Sequence, residues 1–142
     1  MVARLRHIAI SVPDKEKAAQ FFEQAFGMHR VGNARSGVYM SDGTINVALL
    51  QYQGDITGFP PGQKFLGITH FGMWVDDLDE ATKQVEAAGA KYLTGRDHAN
   101  AEAFYEVKFA DPIGVVFDLT HTGWKGAVKE VAPAEEKKIA AE

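Results

Sequence analysis

One pattern occurs twice in this chain. His7-Ile8-Ala9-Ile10-Ser11-Val12-Pro13-Asp14 and Ile68-Thr69-His70-Phe71-Gly72-Met73-Trp74-Val75-Asp76-Asp77 each carry a histidine, an apolar run and an acidic residue. From His7 to His70 the offset is 63 positions. A segment with helical spacing follows each copy: Lys17 to Glu23 runs parallel to Glu80 to Glu86, and Gly27 and Gly89 close them. Self-similarity of this kind means that two copies of one small supersecondary unit build the chain. It also gives two histidines equivalent places.

Local signals fill in the unit. Arg4 to Val12 alternates as a strand, with Ile8, Ile10 and Val12 on one face and His7, Ala9 and Ser11 on the other. Asp14 is placed to cap a helix whose apolar positions are Ala18, Phe22, Ala25 and Phe26, with Phe21 beside them. Gly27 stops it. Three strands follow, over 29–31, 37–40 and 45–52, with a turn at Ser41-Asp42-Gly43. The second copy repeats the order. A strand ends near Val75, and Asp77 with Glu80 has capping-box spacing. Ala81, Val85 and Ala88 give the helix its apolar face. Strands at 92–93, 104–109 and 115–120 follow, the last after the turn Asp111-Pro112-Ile113-Gly114. Each copy therefore reads β-α-β-β-β, an α+β class. The divisions are 1–53 for the first unit, 54–65 for a Gly/Pro-rich linker, 66–126 for the second unit and 127–142 for a loose C-terminal tail. Phe59 and Phe65 in the linker are candidates to reach inward.

Composition narrows the functional classes. The chain has 142 residues, enough for one ordinary core. It has no cysteine, which excludes disulfides and thiolate metal sites. The net charge of −4 argues against a nucleic-acid surface. No apolar run is long enough to span a membrane, and residues 1–6 lack a signal core. The expectation is a cytoplasmic protein without a nucleic-acid or membrane partner.

The doubled β-α-β-β-β unit, with histidine in the first strand of each half, resembles the vicinal oxygen chelate superfamily over about Arg4 to Trp124. That superfamily includes glyoxalase I, extradiol ring-cleaving dioxygenases, methylmalonyl-CoA epimerase and the fosfomycin- and bleomycin-resistance proteins. The resemblance implies two half-barrels around a central cleft that holds a metal ion. The family ending Asp-Pro-(Asp)-Gly-Asn-x-x-Glu-Leu is matched here by Asp111-Pro112-Ile113-Gly114-Val115-Val116-Phe117-Asp118-Leu119, so Asp118 takes the place of the glutamate ligand. The matching segment of the first half, Asn46 to Leu50, offers Ala48, which cannot bind metal. The implied metal ligands are His7, His70 and Asp118. Two histidines and one carboxylate suit Fe²⁺ first, with Mn²⁺, Zn²⁺, Ni²⁺ or Co²⁺ also compatible. Strand alternation turns all three away from the aliphatic faces. Asp118 is one methylene shorter than glutamate, so its strand must sit closer.

Three functions follow from that pattern. An extradiol-type ring-cleaving dioxygenase fits the ligand set best. A glyoxalase- or epimerase-like lyase or isomerase is the alternative. It usually needs a carboxylate from the first half, so Ala48 counts against it, and Glu106 substitutes only if it faces the cleft. The third is a metal-free drug-binding or resistance protein. A fosfomycin-resistance thiol transferase also matches the three-ligand pattern, but those enzymes carry a threonine two residues after the first histidine, where this chain has Ala9. His98 stands where the ring-cleaving enzymes keep a second-shell histidine, and Tyr105 is a candidate donor to a bound oxyanion; these are the catalytic candidates. Trp74 is expected to wall the pocket, with His121, Trp124 and Lys125 at its mouth. Lys125 or Arg96 is a candidate for an anionic substrate group. Glu102 and Glu106 are expected to matter little to metal binding. The resemblance also implies a homodimer, sometimes with exchanged units, and the apolar strands at 45–50 and 115–119 call for extra covering surface.

Overall fold

The computed structural model describes residues 2–95 and 106–132. Their elements are β1 (Arg4–Ser11), α1 (Lys15–Phe26), β2 (His29–Ala34), β3 (Gly37–Ser41), β4 (Asn46–Leu50), β5 (Gly67–Trp74), α2 (Leu78–Ala87), β6 (Lys91–Thr94), β7 (Val107–Ala110) and β8 (Val116–Thr120). Both helices start at their expected caps. The Asp14 carboxylate accepts from the amides of Glu16 and Lys17 at 3.1 and 3.0 Å, and Asp77 accepts from the Glu80 amide at 3.0 Å. Gly27 takes the left-handed conformation that ends α1, at φ 64°. Strand limits shift from the sequence expectation. β2 continues to Ala34, because its tight turn into β3 pairs Ala34 with Gly37. Ile45, Gln51 and Tyr52 lie outside β4.

All eight strands form one sheet in the order β2-β3-β4-β1-β5-β8-β7-β6. Reading outward from the centre, both halves run first, last, third and second strand, so the duplication is real at the level of topology. The halves meet where β1 pairs antiparallel with β5. Along this seam His7 faces Gly72, Ile8 faces Phe71 and Ala9 faces His70. Adding 63 to each β1 number returns the same three pairs in reverse, so a local two-fold axis passes through the Ile8–Phe71 pair.

The register slips twice, between Leu5 and His7 and between Ala9 and Ile10, which leaves Arg6 and Thr69 as the extra residues. Each directly precedes a histidine, and the two are again 63 apart. A bulge bends its strand and re-aims neighbouring side chains. Here one bulge beside each histidine serves both copies.

Each half has its own apolar core on the helix side of the sheet. Ala19, Val38, Met40, Val47 and Leu49 form one, joined by Ile10, Val12 and Phe22. Val75, Ala81, Val107, Phe109, Phe117 and Leu119 form the other, joined by Phe71, Met73 and Val85. The histidine face lies opposite. β4 and β8 are covered within the chain itself, so their apolar content does not call for a second copy. The rotation of α1 puts Ala18, Ala19 and Phe22 inward and leaves Ala25, Phe21 and Phe26 outside, the last two at 58% and 63% exposure. Among the described residues no helix is long and apolar enough to cross a membrane.

Candidate metal centre

His7 on β1, His70 on β5 and Asp118 on β8 are all buried, and they converge on the open side of the central strands. One donor atom from each lies within 4.8 Å of the others. Asp118 Oδ2 is 3.2 Å from His70 Nε2 and 3.8 Å from His7 Nε2. Donors that share an ion at about 2.1 Å stand about 3.0–3.4 Å apart; the His70–Asp118 pair already has that spacing, and the others, all within 4.8 Å, would have to draw in. The short aspartate reaches because β8 pairs directly with β5, with Asp118 opposite Gly72. The equivalent register in the first half puts Ala48 opposite Ala9. Ala48 is thus the counterpart of Asp118, as the sequence comparison implied.

Hydrogen bonds fix which ring nitrogen of each histidine is free. Asn46 Nδ2 donates to the Lys125 carbonyl at 2.8 Å, so Asn46 Oδ1 is the acceptor that meets His7 Nδ1 at 2.7 Å. That nitrogen carries the proton, and Nε2 presents a lone pair. At His70, Nδ1 lies 3.0 Å from Thr69 Oγ1, whose own hydrogen goes to the Ala9 carbonyl at 3.3 Å. Nδ1 is again the donor, and Nε2 faces inward bare. The bulge at Thr69 allows this contact between adjacent residues, which a regular strand would hold on opposite faces.

Three acceptors therefore face one another. Asp118 Oδ2 is fully buried without a hydrogen-bond partner. Such an orphan is costly unless a cation meets it. Burial pushes the His7 imidazole down to about 4, despite the opposing pull of Asp118, so it is neutral at physiological pH. Burial alone would raise the Asp118 carboxyl, but the Lys108 ammonium on Oδ1 holds it well below the usual carboxylate range. A neutral imidazole, as at His7, and an ionised carboxylate are the forms that ligate a metal.

The centre opens into a cavity of about 170 Å³ lined by His7, His70, Ala48, Tyr39, Tyr52, Leu50, Glu106, Lys108 and Trp124. Tyr39 comes from one wing of the sheet and Lys108 from the other, so the sheet curls around the space. Trp124 stacks on His7 with centroids 4.8 Å apart and planes 8° from parallel. It lies flat because residue 72 is glycine; a Cβ there would sit 2.6 Å from the indole and 2.9 Å from His7 Cβ. Trp124 Nε1 donates to Glu106 Oε2 at 3.0 Å. Lys108 Nζ donates to Asp118 Oδ1 at 2.7 Å and lies 3.5 Å from Glu106 Oε1. Burial, then the Asp118 charge, raises the Glu106 carboxyl. Burial works against the Lys108 charge, but Asp118 and Glu106 outweigh it and hold the ammonium above its ordinary value. A wider depression of about 570 Å³ borders the linker and shares Tyr52 with the cavity.

Several expectations change here. Trp74 does lie on the His70 face, but Gly123 closes over its ring and its Nε1 donates to the His121 carbonyl at 3.2 Å, so it does not line the cavity. Of the three residues expected at the mouth, Trp124 lines the cavity and His121 and Lys125 do not. The Lys125 side chain runs along Gly32 instead. Glu106 faces the cavity, the condition on which it could substitute for Ala48. Phe59 and Phe65 pack on each other, with centroids 4.9 Å apart. His98, Tyr105, Arg96 and Glu102 lie outside the described residues. Asn46, Thr69 and Lys108 were missed; the only sequence signal for Lys108 was its alternation with Glu106.

A doubled β-α-β-β-β sheet with two equivalent buried histidines and one carboxylate in its fold defines a protein of the vicinal oxygen chelate type. Residues 4–119 match the family model of the Glyoxalase/Bleomycin resistance protein/Dioxygenase superfamily, and the chain belongs to that superfamily. Solved structures share the fold. A methylmalonyl-CoA epimerase variant from Streptomyces coelicolor is similar at 18% identity and TM-score 0.64, over 84% of this chain and 96% of the other. A Mn(II)-bound glyoxalase from Novosphingobium aromaticivorans is similar at 21% identity and TM-score 0.62, over 94% of this chain and 44% of the other. The 2,3-dioxygenase LapB from Pseudomonas sp. KL28 is similar at 20% identity and TM-score 0.63, over 92% and 46%. This chain thus spans less than half the length of those last two.

Proposed function

We propose that this chain is a divalent-metal enzyme in which His7, His70 and Asp118 hold the ion and a small substrate chelates it through adjacent oxygens. The observation that carries this reading is the orphaned Asp118 Oδ2 facing two bare imidazole nitrogens. A bound ion would supply a Lewis-acid centre with positions open to the substrate. Two histidines and one carboxylate make Fe²⁺ the first choice, with Mn²⁺, Zn²⁺, Ni²⁺ or Co²⁺ as alternatives. Extradiol-type ring cleavage is the first reaction class. A dry cavity of about 150 Å³ is enough for benzene, so this one suits a single ring between Trp124 and the two tyrosines. The phenols of Tyr39 and Tyr52, both raised by burial, stay protonated and can donate to substrate oxygens. His98, as a second-shell histidine, and Tyr105, as a donor to a bound oxyanion, are the proposed catalytic residues.

One observation favours a second class, proton transfer beside a carbonyl as in lyases and isomerases. Glu106 lines the cavity and is held there by Trp124, so a carboxylate is in place to accept a proton. It replaces the base that Ala48 cannot supply. The proposed assembly is a homodimer, for which the exposed Phe21 and Phe26 offer an apolar surface.

The test has two steps. Purified protein is analysed for metal after loading with each ion. The Fe²⁺ form is then given a catechol series under anaerobic conditions, followed by oxygen, while a parallel sample in D₂O is incubated with small 2-oxo and 2-hydroxy acids and followed by NMR. Oxygen uptake with ring-opened product supports the first class, and deuterium at the carbon beside the carbonyl supports the second. Failure to bind any ion removes the enzyme reading and leaves a metal-free binding protein.

A further inference from the structure

Asp118 already has one cation. Lys108 Nζ lies 2.7 Å from Oδ1, on the oxygen that does not face the histidines. Its side chain is only 18% exposed, and among the described residues it is the one ammonium or guanidinium group lining the cavity. Ala48 and Tyr39, which face each other as Asp118 and Lys108 do, carry no charge. The aspartate and the lysine therefore occur together in one half and are absent together from the other.

We infer that Lys108 is the resident counter-cation of the site: it neutralises buried Asp118 when no metal is bound, and it opposes the metal when one enters. The inference rests on the metal reading above. Its physical basis is that one carboxylate is shared between two cations. A buried carboxylate without a partner is strongly destabilising, so the lysine allows the fold to stand without metal. An ion on Oδ2 would then sit a few ångströms from an ammonium on Oδ1, in a poorly screened setting where like charges repel strongly. The site should load reversibly rather than trap its ion. A lysine that merely orients Asp118 would have the opposite effect, because removing an orienting partner lowers metal affinity.

The experiment compares wild type, Lys108→Met, Lys108→Arg and the double variant Asp118→Asn/Lys108→Met. Zn²⁺ and Mn²⁺ affinities are measured by calorimetry, and melting temperatures are measured in chelator and in excess Zn²⁺. The expected result is that Lys108→Met binds Zn²⁺ at least tenfold more tightly than wild type, melts several degrees lower in chelator and recovers in Zn²⁺. Lys108→Arg keeps the charge and stays near wild type. If Lys108→Met folds only with Zn²⁺ while the double variant folds in chelator, the counter-cation role stands. Equal or weaker Zn²⁺ binding by Lys108→Met overturns it, as does a double variant that fails to fold in chelator. No binding of either ion by any folded variant overturns the metal reading itself, and the inference with it.

Discussion

The two halves of this molecule use the same scaffold and hold their histidines by different means. In the first half the bulge residue is Arg6, whose guanidinium points outward to the Val128 carbonyl, and Asn46 on β4 serves His7 Nδ1. In the second half the bulge residue is Thr69, and its hydroxyl serves His70 directly. The first half contributes Ala48 and Tyr39 to the cavity where the second contributes Asp118 and Lys108. Duplication thus conserved where the histidines stand, while the carboxylate and its counter-charge are confined to one side. On the proposed function, the uncharged first-half wall is the side that would receive the substrate body.

The largest expected break in this asymmetry comes from Asp118→Ala. It removes the one charged ligand and leaves the buried Lys108 ammonium with only Glu106, at 3.5 Å, so stability should fall by up to roughly 3 kcal/mol. Metal affinity, read by calorimetry, should fall by well over the 10–100-fold typical of outer-shell partners. Asp118→Glu restores the charge and should recover most of the binding.

Next in size is the pH response of the protein in chelator. The His7 imidazole has its folded value lowered to about 4 from 6.5, so the unfolded chain binds the proton more readily between those values. Stability is fully present above 6.5 and should be lost as pH falls toward 4, by on the order of 3 kcal/mol. Asp118, also lowered, contributes its loss only at still more acid pH. Urea unfolding at pH 7, 5.5 and 4.5 reads this directly. His7→Gln should flatten the dependence in that window.

Smaller effects should separate the two histidine supports. Asn46→Leu and Thr69→Val each strip one Nδ1 partner, and each should weaken metal binding by about 10–100-fold while leaving the ligand set complete. Equal losses would mean that the two devices are interchangeable; an effect from only one would mean that a single histidine sets the affinity. The smallest change is expected from Phe21→Ser with Phe26→Ser, which should shift a dimer toward a 15.5 kDa species in light scattering without altering metal affinity.

Much of this was legible in the sequence. The repeat gave two units, the caps at Asp14 and Asp77 gave the helix starts, and the family ending located Asp118. Other features were hidden for a physical reason. Alternation assigns faces only while a strand keeps its phase, and the bulges at Arg6 and Thr69 break it beside the residues that matter. Thr69 thereby reaches a histidine that strict alternation would deny it. Trp74 was misjudged because its face was correct but its cover was not; the segment around Gly123 returns over it. Trp124 comes from beyond the last strand, so no periodicity could place it on Gly72. Asn46 bonds across the parallel pair β1–β4, a partnership set by register alone.

The seam between β1 and β5 also bears on the order in which the chain assembles. The hairpins β2–β3 and β7–β8 close over short stretches, whereas the seam joins residues some 60 positions apart and must close a long loop for its first contact. Each half has its own apolar nucleus, so the seam is expected to form late, after both nuclei. His7 and His70 sit on it. An ion that needs both can recognise only chains whose halves have docked, and it would shift the population toward them by mass action. Bound metal should therefore slow unfolding more than it speeds folding, because the ligand trio completes only after the main barrier has been crossed.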